Sequence, residues 1–270
     1  TRADEHISSS SFSTSTHPTV DHDKTIILIA EDNDDTRSLI VSQLSHDYAV
    51  VESVNGRDAL SKAQFQIPDL VISDVMMPDM NGYELCRSLK QDERTSHIPI
   101  ILLTALADRD DKIEGLQTGA DDYLIKPFDA KELSVRIKNL IENRKKMRET
   151  FSRSSVFPQL FPAGSSVDQQ FINKAIATVH KHLSDESYET DQFSKDMFLS
   201  RAQLHRKLKA VSDLSATEFI RKTRLHYAKE LLEKNAGTIA EIADKVGFSN
   251  HSYFAKCFKE QFGHLPSEEG

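Results

Sequence analysis

Along residues 24–146 the apolar positions fall into short unbroken runs separated by stretches of helical spacing. The runs cover 26–30, 48–52, 70–74, 98–103 and 122–125 and are rich in isoleucine, leucine and valine. The intervening stretches, 34–45, 56–64, 81–90, 108–118 and 130–148, place apolar residues three and four apart. Runs that do not alternate with polar residues read as strands buried on both faces, and a helix between successive strands gives parallel connections. The pattern predicts an α/β domain built on a five-stranded parallel sheet. In such sheets a site lies outside the carboxyl ends of the strands.

Beyond this region the pattern changes. Residues 151–167 contain Pro158, Pro162, Gly164 and several serines without a sustained period, as a linker does. The remainder lacks strand runs and reads as helix, punctuated at Gly237, Gly247 and Gly263. It contains an internal repeat at a spacing of about fifty residues. Residues 193–200 (FSKDMFLS) match 242–249 (IADKVGFS), and after a one-residue slip 204–209 (LHRKLK) match 254–259 (FAKCFK). Residues 214–218 (LSATE) then match 264–268 (HLPSE).

Each copy reads as a short helix, a tight turn and a second helix, with a long helix over 215–234 joining the two. Leu204, Leu208, Phe254 and Phe258 recur at intervals of four and are expected to face the core. Two positions break the repeat: Phe198 stands where the second copy has Gly247, and Asp213 where it has Gly263. A side chain is costly where glycine takes a positive φ freely. The first turn is therefore expected to adopt a different backbone, with its second helix slightly re-aimed.

Charge sharpens the division. The net charge is −8, yet residues 24–146 carry about six more acids than bases and residues 195–229 about six more bases than acids. The second half is expected to meet an anionic partner. Cys86 and Cys257 lie far apart with no metal-ligand grouping, which fits a reducing, cytoplasmic setting. His22, His46, His97, His180, His182, His226 and His264 show no ligand spacing and read as surface or linker residues. No apolar run approaches a membrane span, so no direct membrane contact is expected. The chain begins at Thr1 with a Ser/Thr-rich stretch, read as a disordered linker within a longer polypeptide. The expected organisation is a linker over 1–23, an α/β domain over 24–148, a linker over 149–168 and an all-helical domain over 169–268.

Chemistry enters at the strand ends. Glu31 and Asp32 follow the first strand, Asp74 the third, Thr104 the fourth and Lys126 the fifth. Three acids crowded together require a divalent cation, and oxygen ligands with a lysine suit Mg²⁺-assisted phosphoryl transfer to an aspartate. The segments Ile29-Ala30-Glu31-Asp32, Ser73-Asp74-Val75-Met76-Met77-Pro78, Leu103-Thr104-Ala105 and Tyr123-Leu124-Ile125-Lys126-Pro127 resemble a response-regulator receiver domain, which is flavodoxin-like. The resemblance implies Asp74 as phosphoacceptor. It also implies Mg²⁺ held by Glu31, Asp32, Asp74 and the Met76 backbone carbonyl, with Lys126 pairing with the phosphoryl group. Thr104 and Tyr123 then form a switch that repacks the face of the fourth helix, fifth strand and fifth helix, a face that commonly forms a homodimer. Met76 and Leu106, two residues beyond Asp74 and Thr104, are apolar and ill suited to orient water, so slow loss of the phosphoryl group is expected.

The paired motifs in turn resemble the DNA-binding domain of AraC-type transcriptional activators, carried by residues 200–209 (SRAQLHRKLK), 247–259 (GFSNHSYFAKCFK) and 262–266 (FGHLP). Each second helix is then expected in the major groove of double-stranded DNA, about one turn apart. Arg201, His205 and Arg206 in the first copy and Asn250, His251 and Lys256 in the second are candidates to reach bases. Lys207, Lys209 and Lys259 are candidates for phosphate contact.

The order of domains is similar to the end of hybrid two-component proteins. This implies a histidine kinase domain as partner, in the same parent chain or separate, and a parent anchored in the inner membrane. A metal-dependent phosphatase would carry a second aspartate where Met76 stands, so the fragment is expected to be a phosphoacceptor and not an enzyme. A second alternative keeps the DNA binding and makes the first domain a phosphate-independent dimerisation module.

Overall fold

The computed structural model describes residues 24–105, 118–152 and 166–269. Five parallel strands, β1 (Ile26–Ala30), β2 (Ala49–Ser53), β3 (Leu70–Asp74), β4 (Ile100–Thr104) and β5 (Asp122–Ile125), form a sheet in the order β2-β1-β3-β4-β5. The connecting helices are α1 (Asp34–Leu44), α2 (Gly56–Gln66) and α3 (Gly82–Gln91), and α4 (Ala130–Ser152) follows β5. Leu106 and residues 108–117 of the helix expected over 108–118 lie outside the described residues, as do the segments 1–23 and 153–165 and residue 270.

The two faces of the sheet are sorted by the period of two. Leu28, Ala30, Val71 and Leu102 pack with Ala59, Ala63, Leu85 and Leu89 of α2 and α3. Ile27, Ile29, Ile72, Ile101 and Leu103 pack with Ile40, Leu44, Leu133 and Ile137 of α1 and α4. Burial on both faces is why these strands carry no polar alternation. Side-chain caps at Asn33, Asn55 and Asn81 start the first three helices.

The second domain is helical among the described residues: α5 (Ser166–His180), α6 (Thr190–Asp196), α7 (Arg201–Ser212), α8 (Ala216–Glu233), α9 (Ile239–Lys245) and α10 (His251–Phe262). The α6–α7 and α9–α10 pairs are the two predicted motifs. The long α8 joins them, contributing Phe219 and Ile220 to one core and Leu225, Ala228 and Leu232 to the other. Leu204, Leu208, Phe254 and Phe258 are buried in these cores. The first helix of the domain begins at Ser166, inside the segment expected to be linker.

The expectation about the first turn is corrected. Phe198 takes φ 58° where Gly247 takes 74°, and Asp213 takes 58° where Gly263 takes 89°. The hydrogen bonds match as well: Leu199 N–H donates to Ser194 O, as Phe248 N–H donates to Ala243 O. Tertiary packing imposes one backbone on both copies. What differs is the room beside it. A Cβ at Gly247 would collide with Leu183 O and crowd the Arg224 guanidinium, whereas the Phe198 side chain is 88% exposed. Phe198 therefore bears only the left-handed strain of about 1–2 kcal/mol, set against about 0.5–1 kcal/mol for the extra entropy of glycine. Phe198→Gly is expected to raise the melting temperature of the helical domain slightly. A lower melting temperature would show that this ring makes a stabilising contact.

Candidate functional site

The strand order reverses between β1 and β3, and the two most buried acids of the cluster sit at their carboxyl ends. Glu31 is fixed by its own backbone: its N–H donates to Ser53 O at 3.1 Å, and its carbonyl accepts from Arg37 Nη1 at 2.8 Å. Asp74 ends β3 in register with Leu103 of β4, and Val75 N–H donates to Leu103 O at 2.9 Å. Behind it, Gly82 N–H donates to Val75 O at 3.0 Å. A Cβ at position 82 would strike the Asp74 carbonyl oxygen, so a close approach of backbones requires glycine there.

Lys126, just beyond β5, reaches across and bridges the pair. Its Nζ lies 2.7 Å from Glu31 Oε2 and 2.9 Å from Asp74 Oδ2. Asp32 is exposed at the rim, and one carboxylate oxygen from each of Glu31, Asp32 and Asp74 lies within 4.8 Å of the others. Burial pushes the Glu31 carboxyl above its ordinary range, with the Asp74 charge adding to it against the pull of Lys126. Burial opposes the Lys126 charge, but hydrogen bonds to Glu31 and Asp74 outweigh it and hold the ammonium above its usual value.

Among the described residues, three carboxylates facing one ammonium leave an excess of two negative charges when all are ionised. The donors are hard oxygens, and that charge is what a divalent cation such as Mg²⁺ neutralises. The residues present therefore fit the metal.

Thr104 is buried at the end of β4, in register with Ile125 of β5. Tyr123 packs, partly buried, against the core on the α2 and α3 face, and its hydroxyl is buried. Met76 presents a side chain 66% exposed beside the acids, and its N–H faces Asp74 Oδ1 at 3.4 Å.

The candidate DNA-contacting residues divide. Arg201 is exposed and paired with Asp191. Asn250 caps α10 through its side-chain oxygen, His251 Nε2 lies 2.8 Å from Asp244 Oδ1, and Lys256 is exposed. His205, Arg206 and Lys209 instead border a cavity facing the α/β domain.

Lys207 is corrected outright. It is fully buried, with Nζ 2.5 Å from Asp168 Oδ1, 3.1 Å from Ser96 Oγ and 3.1 Å from His97 Nδ1, so it contacts no phosphate in this arrangement. The helical period gave the signal, since 207 lies three residues after the buried Leu204. His97 is likewise buried in the interdomain contact and is not a surface residue. His226 packs edge-on against Phe262 with a ring centroid distance of 5.0 Å.

Arg224 was not anticipated. Its guanidinium, on the apolar side of α8, donates to Gly247 O at 3.3 Å, His182 O at 3.4 Å and Asp185 O. It ties the turn of the second motif to the loop after α5.

Residues 27–138 match the response regulator receiver domain family, and residues 193–269 match a helix-turn-helix domain family. Histidine kinase P4 of Formosa agariphila is 42% identical over 246 residues, which are 91% of this chain and 18% of that protein. Response regulator ArlR of Staphylococcus aureus is 42% identical over 121 residues, 44% of this chain and 54% of that protein. The chain thus spans less than two thirds of either relative. A receiver domain of a Pseudomonas aeruginosa sensor histidine kinase, solved with magnesium coordinated in its active-site cleft, is 34% identical with a TM-score of 0.42. That match covers 44% of this chain and 98% of that one.

Proposed function

Since the chain joins a response-regulator receiver domain to an AraC-type helix-turn-helix domain, we propose that phosphorylation of Asp74 controls its sequence-specific binding to double-stranded DNA and hence transcription. This architecture is that of a non-enzymatic regulator. The observation that carries the reading is the sharing of one ammonium, Lys126, by the buried Glu31 and Asp74 beside Asp32 at the strand-order reversal.

In the reaction, an Asp74 carboxylate oxygen attacks the phosphorus of a phosphohistidine on a kinase domain. The O–P bond forms, the P–N bond breaks, and the leaving imidazole keeps the electron pair and takes a proton. Glu31, Asp32, Asp74 and the Met76 carbonyl would hold Mg²⁺, which would supply charge neutralisation when bound. Lys126 offers the transferred group a second cation, and Thr104 a hydroxyl donor. The cost of crowding Glu31 against Asp74 is what makes the site receptive to a cation, and the added positive charge with Lys126 is what then favours the phosphoryl group. Met76 and Leu106 slow the later attack of water.

Thr104 and Tyr123 pass the change to a receiver face through which two copies pair. The kinase belongs to the same parent chain or acts in trans. In the hybrid arrangement the parent is anchored in the inner membrane and this part lies in the cytoplasm.

Intact-mass spectrometry after incubation with acetyl phosphate and Mg²⁺ tests the chemistry. Wild type is expected to gain one phosphoryl group, and Asp74→Ala none. Equal uptake by both, or none by wild type, would reject Asp74 as the acceptor.

A further inference from the structure

Between the two helix-turn-helix motifs lies a cavity of about 420 Å³, within the range of about 300–1,000 Å³ typical of small-molecule sites. Its lining comes from both sides: Thr190 of α6, Thr217 and Arg221 of α8, and Asn250 and Tyr253 at the start of the second motif's α10.

Two guanidiniums stand along one wall, Arg221 and, a turn further along α8, Arg224. Arg224 is only 7% exposed, and its hydrogen bonds go to peptide carbonyls, which carry no formal charge. Its Nε is buried without a partner among the described residues. Arg221 is half-buried and reaches the Tyr253 side chain. Among the described residues, neither guanidinium is joined to a carboxylate in an ion pair. A buried charge is ordinarily paired, because without a counter-ion nothing offsets its desolvation. Burial accordingly holds the Arg224 pKa below its usual value. The cavity also reaches the amino ends of α8 and α10, at Thr217 and Asn250, where helix dipoles add positive potential. Ile220, Phe248 and Tyr253 give it an apolar and aromatic wall, and two exposed acids, Glu186 and Glu189, border it.

We propose that this cavity is a binding site for a small organic acid, with one carboxylate on an apolar body. The carboxylate supplies the counter-charge that the two arginines lack, and its planar pair of oxygens suits a guanidinium. The body lies against Ile220, Phe248 and Tyr253. Glu186 and Glu189 repel a densely charged chain such as a nucleic-acid backbone more than a single small anion, which favours the small molecule as occupant. Once bound, the acid ties the start of α6 and of α8 to the turn of the second motif, and so stabilises the two motifs in one relative placement. The site needs neither Asp74 nor its phosphorylation.

The test uses the full chain with phenylacetate as probe at constant ionic strength, read by saturation-transfer NMR and by calorimetry. Phenylacetate is expected to bind and to raise the melting temperature of the helical domain. Phenylacetamide, which lacks the charge, and acetate, which lacks the body, are expected to bind more weakly. Arg221→Gln removes one guanidinium without touching the carbonyls that Arg224 holds, and is expected to weaken phenylacetate binding roughly tenfold. Thr217→Glu acts in the opposite sense. It places a resident carboxylate four residues before Arg221 in the first turn of α8, where both the spacing and the dipole favour it. This variant is expected to melt higher than wild type and to exclude phenylacetate, which separates loss of the site from loss of the fold. Equal phenylacetate binding by wild type and both variants, or no binding by wild type, would overturn the proposal. So would an Arg221→Gln chain that leaves phenylacetate binding unchanged but weakens a DNA duplex and lowers its salt slope by about one, since the cavity would then hold a backbone phosphate.

Discussion

Lys126→Met is expected to destabilise the metal-free receiver by about 3 kcal/mol at neutral pH, because it removes the cation that bridges a pair of buried acids. The side chains of Glu31 and Asp74 are 1% and 10% exposed, so water replaces the ammonium only poorly. Glu31 already sits above its ordinary value through burial and the Asp74 charge, and without Lys126 it rises further. Between its unfolded and folded values the native state then binds more protons than the unfolded state. Stability therefore falls as pH rises through that window and returns on acidification. Mg²⁺ should restore part of it at neutral pH by binding the native acids alone. Urea unfolding followed by circular dichroism, in chelator and in Mg²⁺ at two pH values, reads all three effects. An unchanged midpoint would mean that the acids are better solvated than their burial indicates.

Arg224→Met acts on the other domain. The substitution keeps an apolar stem of similar length but takes the charged donor from the carbonyls of Gly247, His182 and Asp185; His182 O and Asp185 O keep the backbone N–H groups of Asp185 and Tyr188, whereas Gly247 O loses its side-chain donor outright. Two effects oppose each other. Burial penalises the guanidinium charge, which lowers the Arg224 pKa, so removing it recovers some desolvation cost. Stranding buried acceptors costs about 1–3 kcal/mol for each group. With one acceptor stranded and two charge-assisted bonds lost, the second effect wins, and a loss of about 2 kcal/mol is expected. Calorimetry should show the helical domain melting earlier while the receiver transition stays in place. A single unshifted transition for the helical domain would assign Arg224 no structural role.

The receiver was legible because its chemistry coincides with strand ends. Glu31, Asp74, Thr104 and Lys126 each follow an apolar run, and a parallel sheet gathers such ends at one edge. The helical repeat was legible for a similar reason, since Leu204, Leu208, Phe254 and Phe258 recur at the spacing of one buried face. Turn chemistry misled at Phe198. Local preference argues against a left-handed aromatic residue, but the packing of α6 on α7 overrides it and open space beside the turn makes the strain bearable.

Lys207 has a charge that suggests a phosphate contact and a period that places it inside. Its position belongs to the buried face, and its charge is satisfied by Asp168 together with two receiver residues distant in sequence. No spacing rule connects Ser96 and Lys207 along the chain, so the interdomain contact had no local signal. Asp168 reads as linker in the sequence for the same reason: one turn of helix next to a Pro- and Ser-rich stretch carries too little period to stand out.

The central claim is that the state of Asp74 governs DNA binding, and anisotropy of a labelled operator-bearing duplex tests it most directly. The chain and Asp74→Ala are each titrated with and without acetyl phosphate and Mg²⁺, the operator having first been selected from a random pool. Tighter binding by the phosphodonor-treated wild type alone is the expected result. Equal affinity in all four conditions would contradict the account and leave the receiver as a phosphate-independent module beside a DNA-binding domain.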